Sequence, residues 1–219
     1  MNAKNAALLK ESLEKQNVTL VAISKTKPKE MIQELYNEGF RIFGENRAQE
    51  LAEKYESLPK DIKWHMVGNL QKNKVKYIAP FVDLIHSVSS LSLLQTINKE
   101  AFKNDRNIDV LLQLKIAEED AKSGLSKSDF KDIIQDLDNG AYSSINVVGF
   151  MGMATFTDDM DQVRGEFQQL MSTAQNILNS TSLKIDNPIY SMGMSGDYKV
   201  AIEEGSNMVR IGSLLFGSR

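Results

Sequence analysis

Val18-Thr19-Leu20-Val21-Ala22-Ile23-Ser24-Lys25-Thr26-Lys27-Pro28 joins a strand signal to a helix signal. Val18 to Ile23 is a short apolar run rich in β-branched residues, the pattern of a buried strand. Ser24-Lys25-Thr26 follows at its C-terminal end, and Pro28 stops extension and suits the first turn of a helix. A core strand therefore delivers the Lys25 amine to the mouth of the domain. A lysine held there can lose its proton through desolvation and attack a carbonyl. Taken alone, the same position also fits a lysine that snorkels from a strand end.

Outward from this stretch the strand-then-helix alternation repeats. Asn5–Glu14 reads as a short N-terminal helix and Thr19–Ile23 as the first strand. Lys29–Glu38 carries Met31, Ile32 and Leu35 at helical spacing and ends at Gly39. Phe40–Phe43 reads as the second strand, with Gly44–Arg47 as its loop and Ala48–Tyr55 as a helix. Lys63–Val67 is the third strand, followed by Gly68-Asn69 and a helix through Lys76. Phe81–Ile85 is the fourth, ending at His86-Ser87, and Leu91–Phe102 is helical. Ile108–Ile116 is the fifth, with a polar loop over Ala117–Gly124. Ser126 and Asp129 form a cap pair ahead of Phe130, Ile133, Ile134 and Leu137. Ile145–Phe150 is the sixth strand, and Phe167, Leu170, Met171, Ala174, Ile177 and Leu178 mark a long amphipathic helix. Ile189–Met192, a helix over Gly196–Glu204, Met208–Ile211 and a helical turn at Ser213–Phe216 complete the chain.

Eight βα units imply a parallel sheet, and a closed α/β barrel leaves neither end strand without a neighbour. The expected fold is a single (β/α)8 TIM-type barrel over residues 1–219 with an extra N-terminal helix. The 219 residues, 42% hydrophobic and 25% charged, suit such a barrel, whose lower limit is about 200 residues. A net charge of −3 is no footprint for nucleic acid. The absence of cysteine excludes disulfides, thiolate metal sites and cysteine nucleophiles. Met1–Glu14 is no signal peptide, and no stretch approaches the roughly 20 apolar residues of a membrane span. The expected location is the cytoplasm.

In such barrels the site lies at the C-terminal ends of the strands, and phosphate is often held by the loops after strands seven and eight. Those loops are Ser191-Met192-Gly193-Met194-Ser195-Gly196-Asp197-Tyr198 and Arg210-Ile211-Gly212-Ser213. Their glycines let backbone N–H groups approach an anion. Ser195 is expected at a helix N-terminus, where free donors and the dipole favour an anion; it also fits a plain N-cap, and Gly212 a plain turn glycine. Strand one closes beside strand eight, so Lys25, both loops and Arg210 meet at one rim. An amine next to a phosphate site is what pyridoxal phosphate requires. Arg210 is either a surface residue or the partner of the pyridine nitrogen. In the second role its guanidinium keeps that nitrogen unprotonated and makes the ring a poorer electron sink.

With these residues in place, the chain resembles the pyridoxal-phosphate homeostasis proteins, the YggS/PROSC family, related to the N-terminal barrel of alanine racemase. The matching segments are Val-Ala-Ile-Ser-Lys-Thr-Lys-Pro (21–28), Phe-Gly-Glu-Asn (43–46), Trp-His-Met-Val-Gly-Asn-Leu-Gln (64–71), His-Ser-Val (86–88), Lys-Ser-Gly (122–124), Gly-Phe-Met-Gly-Met-Ala (149–154), Ser-Met-Gly-Met-Ser-Gly-Asp (191–197) and Val-Arg-Ile-Gly-Ser (209–213). They span nearly the whole chain in order. The resemblance implies that Lys25 is the Schiff-base lysine. It implies that Ser195, Gly212 and Ser213 hold the phosphate, that Arg210 meets the ring nitrogen, and that Asn46 and Met151 line the cofactor. Ser213 stands where threonine is common, and Asn69 where proline is common.

The resemblance further implies a monomer that stores, buffers or delivers pyridoxal 5'-phosphate to apoenzymes and so influences amino-acid balance. The alternative is an amino-acid racemase. That chemistry needs acid/base groups on both faces of the substrate carbanion. Lys25 serves one face, but the C-terminal β-domain of alanine racemase is not expected in this chain. Tyr198, His86 and Lys122 are the candidates for the other face. The only histidines, His65 and His86, each end an expected strand and read as satisfied polar residues at the barrel rim, without metal-ligand spacing. Glu118-Glu119-Asp120 reads as a solvated loop, and Lys122 as either a surface lysine or a neighbour of the cofactor.

Overall fold

The computed structural model describes residues 3–116 and 124–217. Eight parallel strands close on themselves in sequence order: β1 (Thr19–Ile23), β2 (Ile42–Glu45), β3 (Lys63–Met66), β4 (Leu84–Val88), β5 (Ile108–Gln113), β6 (Ile145–Met151), β7 (Ile189–Met194) and β8 (Met208–Ile211). Closure comes from β1 pairing with β8, Val21 opposite Arg210 and Ala22 opposite Ile211. Helices α2 (Lys29–Asn37), α3 (Ala48–Ser57), α4 (Val75–Ile78), α5 (Leu91–Lys103), α6 (Lys127–Asp138), α7 (Met160–Ser180), α8 (Tyr198–Glu203) and α9 (Ser213–Phe216) follow the strands in turn. The additional helix α1 (Ala3–Glu14) lies against β1, α2 and α9. Among the described residues, no helix is long and apolar enough to cross a membrane.

Alternation along the strands sorts the core into two layers. Val21, Leu84, Leu111, Met151 and Met208 form a small cluster inside the barrel. Leu20, Ala22, Phe43, Trp64, Met66, Ile85 and Val110 face the helices and join the larger outer cluster. Burial of this kind is worth about 25 cal/mol per Å² of apolar surface, which makes the outer layer the main source of stability.

Strands one and eight keep their expected boundaries, and two others are displaced. The second runs over Ile42–Glu45, not Phe40–Phe43. Phe40 belongs to the end of α2 instead: its N–H donates to Leu35 O at 3.0 Å, and that of Gly39, at φ +84°, to Tyr36 O at 3.0 Å. This is a Schellman cap, whose left-handed residue favours glycine and whose next residue packs back on the helix. The fourth strand runs over Leu84–Val88, not Phe81–Ile85. Phe81 and Val82 still donate to Ile78 O, and Arg106 donates to the carbonyls of Ala79 and Val82. The helix expected through Lys76 is a 3-10 turn at Lys72–Lys74 followed by the single turn α4. Strand five stops at Gln113, strand seven extends to Met194, and α8 begins only at Tyr198.

Candidate functional site

The β1 run ends at Ile23, and the inner-face alternation from Val21 through Ile23 places half-buried Lys25 at the inner side of the barrel mouth. Ser24 faces the other way and donates to Glu45 Oε1 at 2.5 Å. Behind it, Lys54 on α3 donates to Ser24 O (2.8 Å), Glu45 Oε1 (2.8 Å) and Glu50 Oε1 (2.7 Å). The Glu50 carboxylate then accepts the N–H of Thr26 at 2.6 Å. Thr26 sits at φ +63°, a left-handed conformation costly for a β-branched residue. The Ser24–Glu45–Lys54–Glu50 cluster thus clamps a strained turn on both sides of Lys25. The next lysine is committed elsewhere: Lys27 Nζ donates to Phe216 O at 3.4 Å and Gly217 O at 3.2 Å, at the end of α9. Among the described residues, Lys25 has no hydrogen-bond or ion-pair partner.

The loops after β7 and β8 meet directly. The N–H of Gly212 donates to Ser195 Oγ at 3.2 Å, and Ser213 opens α9 at the exposed rim. Ser195 is not an N-cap: Asp197 occupies that position, and its Oδ1 accepts from Met194 N. The Ser195 hydroxyl bridges to the other loop instead, because β7 runs two residues further than its apolar pattern suggests. Asn46, half-buried just beyond β2, packs against Gly68; a Cβ on Gly68 would lie 2.4 Å from Asn46 O, so only glycine permits this approach. Met151 is fully buried in the inner cluster, opposite Gln113 and Ser191 in register. The structure therefore brings Lys25, Ser195, Gly212 and Ser213 to one rim, with Arg210 and Met151 directly below it.

Arg210 is no surface residue, being only 4% exposed. Its Nη1 donates to Ser191 O (2.8 Å) and Ser191 Oγ (2.7 Å), and its Nη2 to Gly152 O (3.0 Å). Burial lowers its pKa to about 10, which leaves it charged at neutral pH. Among the described residues, no carboxylate lies within ion-pair distance of it. A buried cation held by neutral acceptors, with donor capacity remaining, suits a neutral ring nitrogen in the mouth above.

The histidines are not at the rim. His65 and His86 are fully inside the barrel, 2% and 0% exposed, because β4 extends to Val88. His86 Nδ1 is 2.9 Å from Ser191 Oγ, and His86 Nε2 is 3.0 Å from His65 Nδ1. His65 Nε2 lies 3.5 Å from Asp83 Oδ2. With both nitrogens engaged, His86 is not free to act at the mouth. Glu118-Glu119-Asp120 and Lys122 lie outside the described residues. Lys54 and Asp83 had no motif to announce them, and Ser191 and Glu45 lay inside matching segments without a role of their own. Strand alternation about Gly44 and Arg210 is the signal that could have found Glu45 and Ser191.

These burials set a pH dependence. Desolvation holds both imidazoles below the ordinary 6.5, His86 the more strongly. Below that value the unfolded chain binds protons that the folded barrel refuses, so acidification destabilises the fold. Glu45 opposes this: burial raises its carboxyl from 4.5 to about 7, although Lys54 pulls it down. Between those limits the folded state keeps a proton the unfolded chain has released. Two histidines against one glutamate leave a net loss of stability as pH falls from about 6 to about 5. Urea unfolding across that range checks the slope; constant or rising stability would contradict it.

Comparison with known proteins agrees with this architecture. The family profile described as alanine racemase, N-terminal domain, matches residues 2–219. A pyridoxal phosphate homeostasis protein of Aquifex aeolicus is 40% identical over 204 residues, 91% of this chain and 86% of that protein. One from Pongo abelii is 37% identical over 210 residues, 91% of this chain and 76% of that protein. The structure of PipY from Synechococcus elongatus with pyridoxal phosphate bound superposes with a TM-score of 0.86 at 31% identity, covering 99% of this chain and all of PipY.

Proposed function

The chain belongs to the alanine racemase N-terminal domain family, among its pyridoxal phosphate homeostasis proteins, and from that premise we propose that it holds pyridoxal 5'-phosphate as a Schiff base with Lys25. The observation that carries this reading is the convergence at one rim of an amine without a partner among the described residues, two hydroxyl-bearing loops joined by Gly212 N–H to Ser195 Oγ, and the buried Arg210 guanidinium. Ser195, Gly212 and Ser213 hold the phosphate, Arg210 meets the ring nitrogen, and Asn46 and Met151 line the cofactor. When bound, the group supplies an aldehyde for amines and an electron-withdrawing ring. Arg210, charged at neutral pH, leaves the ring nitrogen unprotonated and so weakens that withdrawal. This favours retention and release of the cofactor over reaction on it. The protein then acts in the cytoplasm as a monomeric store, buffer or donor of pyridoxal phosphate for apoenzymes, and through them affects amino-acid balance.

The phosphate assignment is tested by Ser195→Ala together with Ser213→Ala. Each hydrogen bond to a charged oxygen is worth about 1.5–3 kcal/mol, so each hydroxyl lost weakens the affinity for pyridoxal phosphate about tenfold or more. Pyridoxal without its phosphate should bind both proteins alike. Equilibrium dialysis reads both affinities, and an unchanged value for the phosphorylated form in the double variant places the phosphate elsewhere.

A further inference from the structure

A continuous polar chain crosses the barrel interior beneath the rim: Arg210, Ser191, His86, His65 and Asp83. Its contacts are 2.7 Å, 2.9 Å, 3.0 Å and 3.5 Å. The four groups beyond Arg210 play no part in holding the cofactor as read above. Arg210 through His65 lie inside, and the Asp83 side chain, 45% exposed, stands just before β4.

The two ends of this chain dictate its direction. Arginine can only donate hydrogen bonds, and an ionised carboxylate can only accept them. Since Ser191 Oγ accepts from Arg210, its own hydrogen is free to go to His86 Nδ1. That nitrogen is then bare, and the His86 proton sits on Nε2, where it meets His65 Nδ1. His65 Nδ1 is in turn bare, and the His65 proton sits on Nε2, facing Asp83. Reversal would aim the His65 Nε2 lone pair at the carboxylate. The other charges that bear on the chain are Lys63 and Arg106 at the Asp83 end and Asp197 at the Arg210 end.

We propose that Asp83 is a positioning residue for Arg210: through His65 and His86 it fixes the Ser191 hydroxyl with its oxygen lone pair toward the guanidinium, and so sets how Arg210 presents its remaining donors to the mouth. Arg210 has no carboxylate within ion-pair distance among the described residues; Asp197 bears on it directly from the rim, and Asp83 reaches it only through the relay. The direction of the chain follows from this structure alone. Only its final effect, on a ring nitrogen, rests on the function proposed above.

The chain's two histidines are both in the relay, so nitrogen NMR of histidine-labelled protein without cofactor reads it directly. Both rings should show a protonated Nε2 and a bare Nδ1 at neutral pH. In Asp83→Asn, whose amide can donate as well as accept, the His65 ring should become a mixture of tautomers, and Asp83→Glu should restore the single form. The Kd for pyridoxal phosphate should rise about threefold to tenfold in Asp83→Asn and recover in Asp83→Glu. A proton on Nδ1 of either ring in the unsubstituted protein overturns the proposal, as does an Asp83→Asn spectrum identical to it. Altered tautomers with unaltered affinity show that the relay stops short of Arg210, which also overturns it. Failure of the unsubstituted protein to take up pyridoxal phosphate counts against the proposed function instead, and the tautomer measurements still decide the relay.

Discussion

Replacing Lys25 with alanine is expected to abolish covalent capture of pyridoxal phosphate. With the unsubstituted protein, borohydride should fix one equivalent of cofactor, and peptide mapping should find it on Lys25. The expectation is sharp because the neighbouring lysine is occupied. Lys27 Nζ is tied to the carbonyls of Phe216 and Gly217, whereas Lys25 has no partner among the described residues and stands in the turn just beyond β1, at the barrel mouth. The alanine variant keeps Ser195, Ser213 and Arg210, so it should still bind the cofactor reversibly, without the imine absorption band. Its fold should be unaffected, since the clamp on the turn runs through Ser24 and Thr26 and not through the lysine. Label on Lys27 in the unsubstituted protein, or an imine band that survives in Lys25→Ala, would sink the assignment.

The largest expected change in stability comes from Lys54→Met. Lys54 is almost fully buried, and its ammonium serves the Ser24 carbonyl, Glu45 and Glu50 at once. Among the described residues, Glu45 Oε2 already has no hydrogen-bond partner. Removing one member of a buried pair strands the other, at a cost of about 3–5 kcal/mol. The sign of the pH effect follows from Glu45, whose folded-state pKa is already raised to about 7 and must rise further without Lys54. The deficit relative to the unsubstituted protein should therefore shrink as pH falls from 7 toward 4.5, where the stranded carboxyl is neutral. Adding Glu45→Gln should recover part of the loss at neutral pH. Urea denaturation of the single and double variants measures both effects. A loss below about 1 kcal/mol in Lys54→Met would mean that the pair contributes no more than an exposed one.

Much of this architecture was legible because local and long-range demands agree. β1 and β8 are dense β-branched or apolar runs with abrupt polar ends, and their limits match those read from the sequence. The shifts in β2 and β4 share one cause: Phe40, Phe81 and Val82 are as apolar as strand residues but serve helix ends, and composition does not separate those uses. At the site, Lys25, Ser195, Gly212 and Ser213 follow from barrel topology plus the residue types in the loops. The clamp was not legible, because Lys54 on a helix surface and Glu45 after a glycine both look solvent-facing until α3 is laid over β1 and β2. His65 and His86 were misplaced at the rim because a strand-end histidine and a barrel-interior histidine give the same sequence pattern. Polar residues inside a barrel are readable only once each can be paired with its neighbour across the strands.

Closure of β1 against β8 has a consequence for biosynthesis. Lys25 leaves the ribosome well before Arg210, Gly212 and Ser213 are made. Even the tether from Lys27 to Gly217 spans 190 residues. A nascent chain with only its first strands in place has the Lys25 amine but neither the loops after β7 and β8 nor the Arg210 guanidinium, and its β1 edge has no partner. On the proposed function, high affinity for the aldehyde is expected to arrive with the last strand, at the moment the sheet loses its open edges. Unfinished or truncated chains should then be poor sinks for a reactive cofactor, and tight retention should report that a molecule has been synthesised through its eighth strand and has closed.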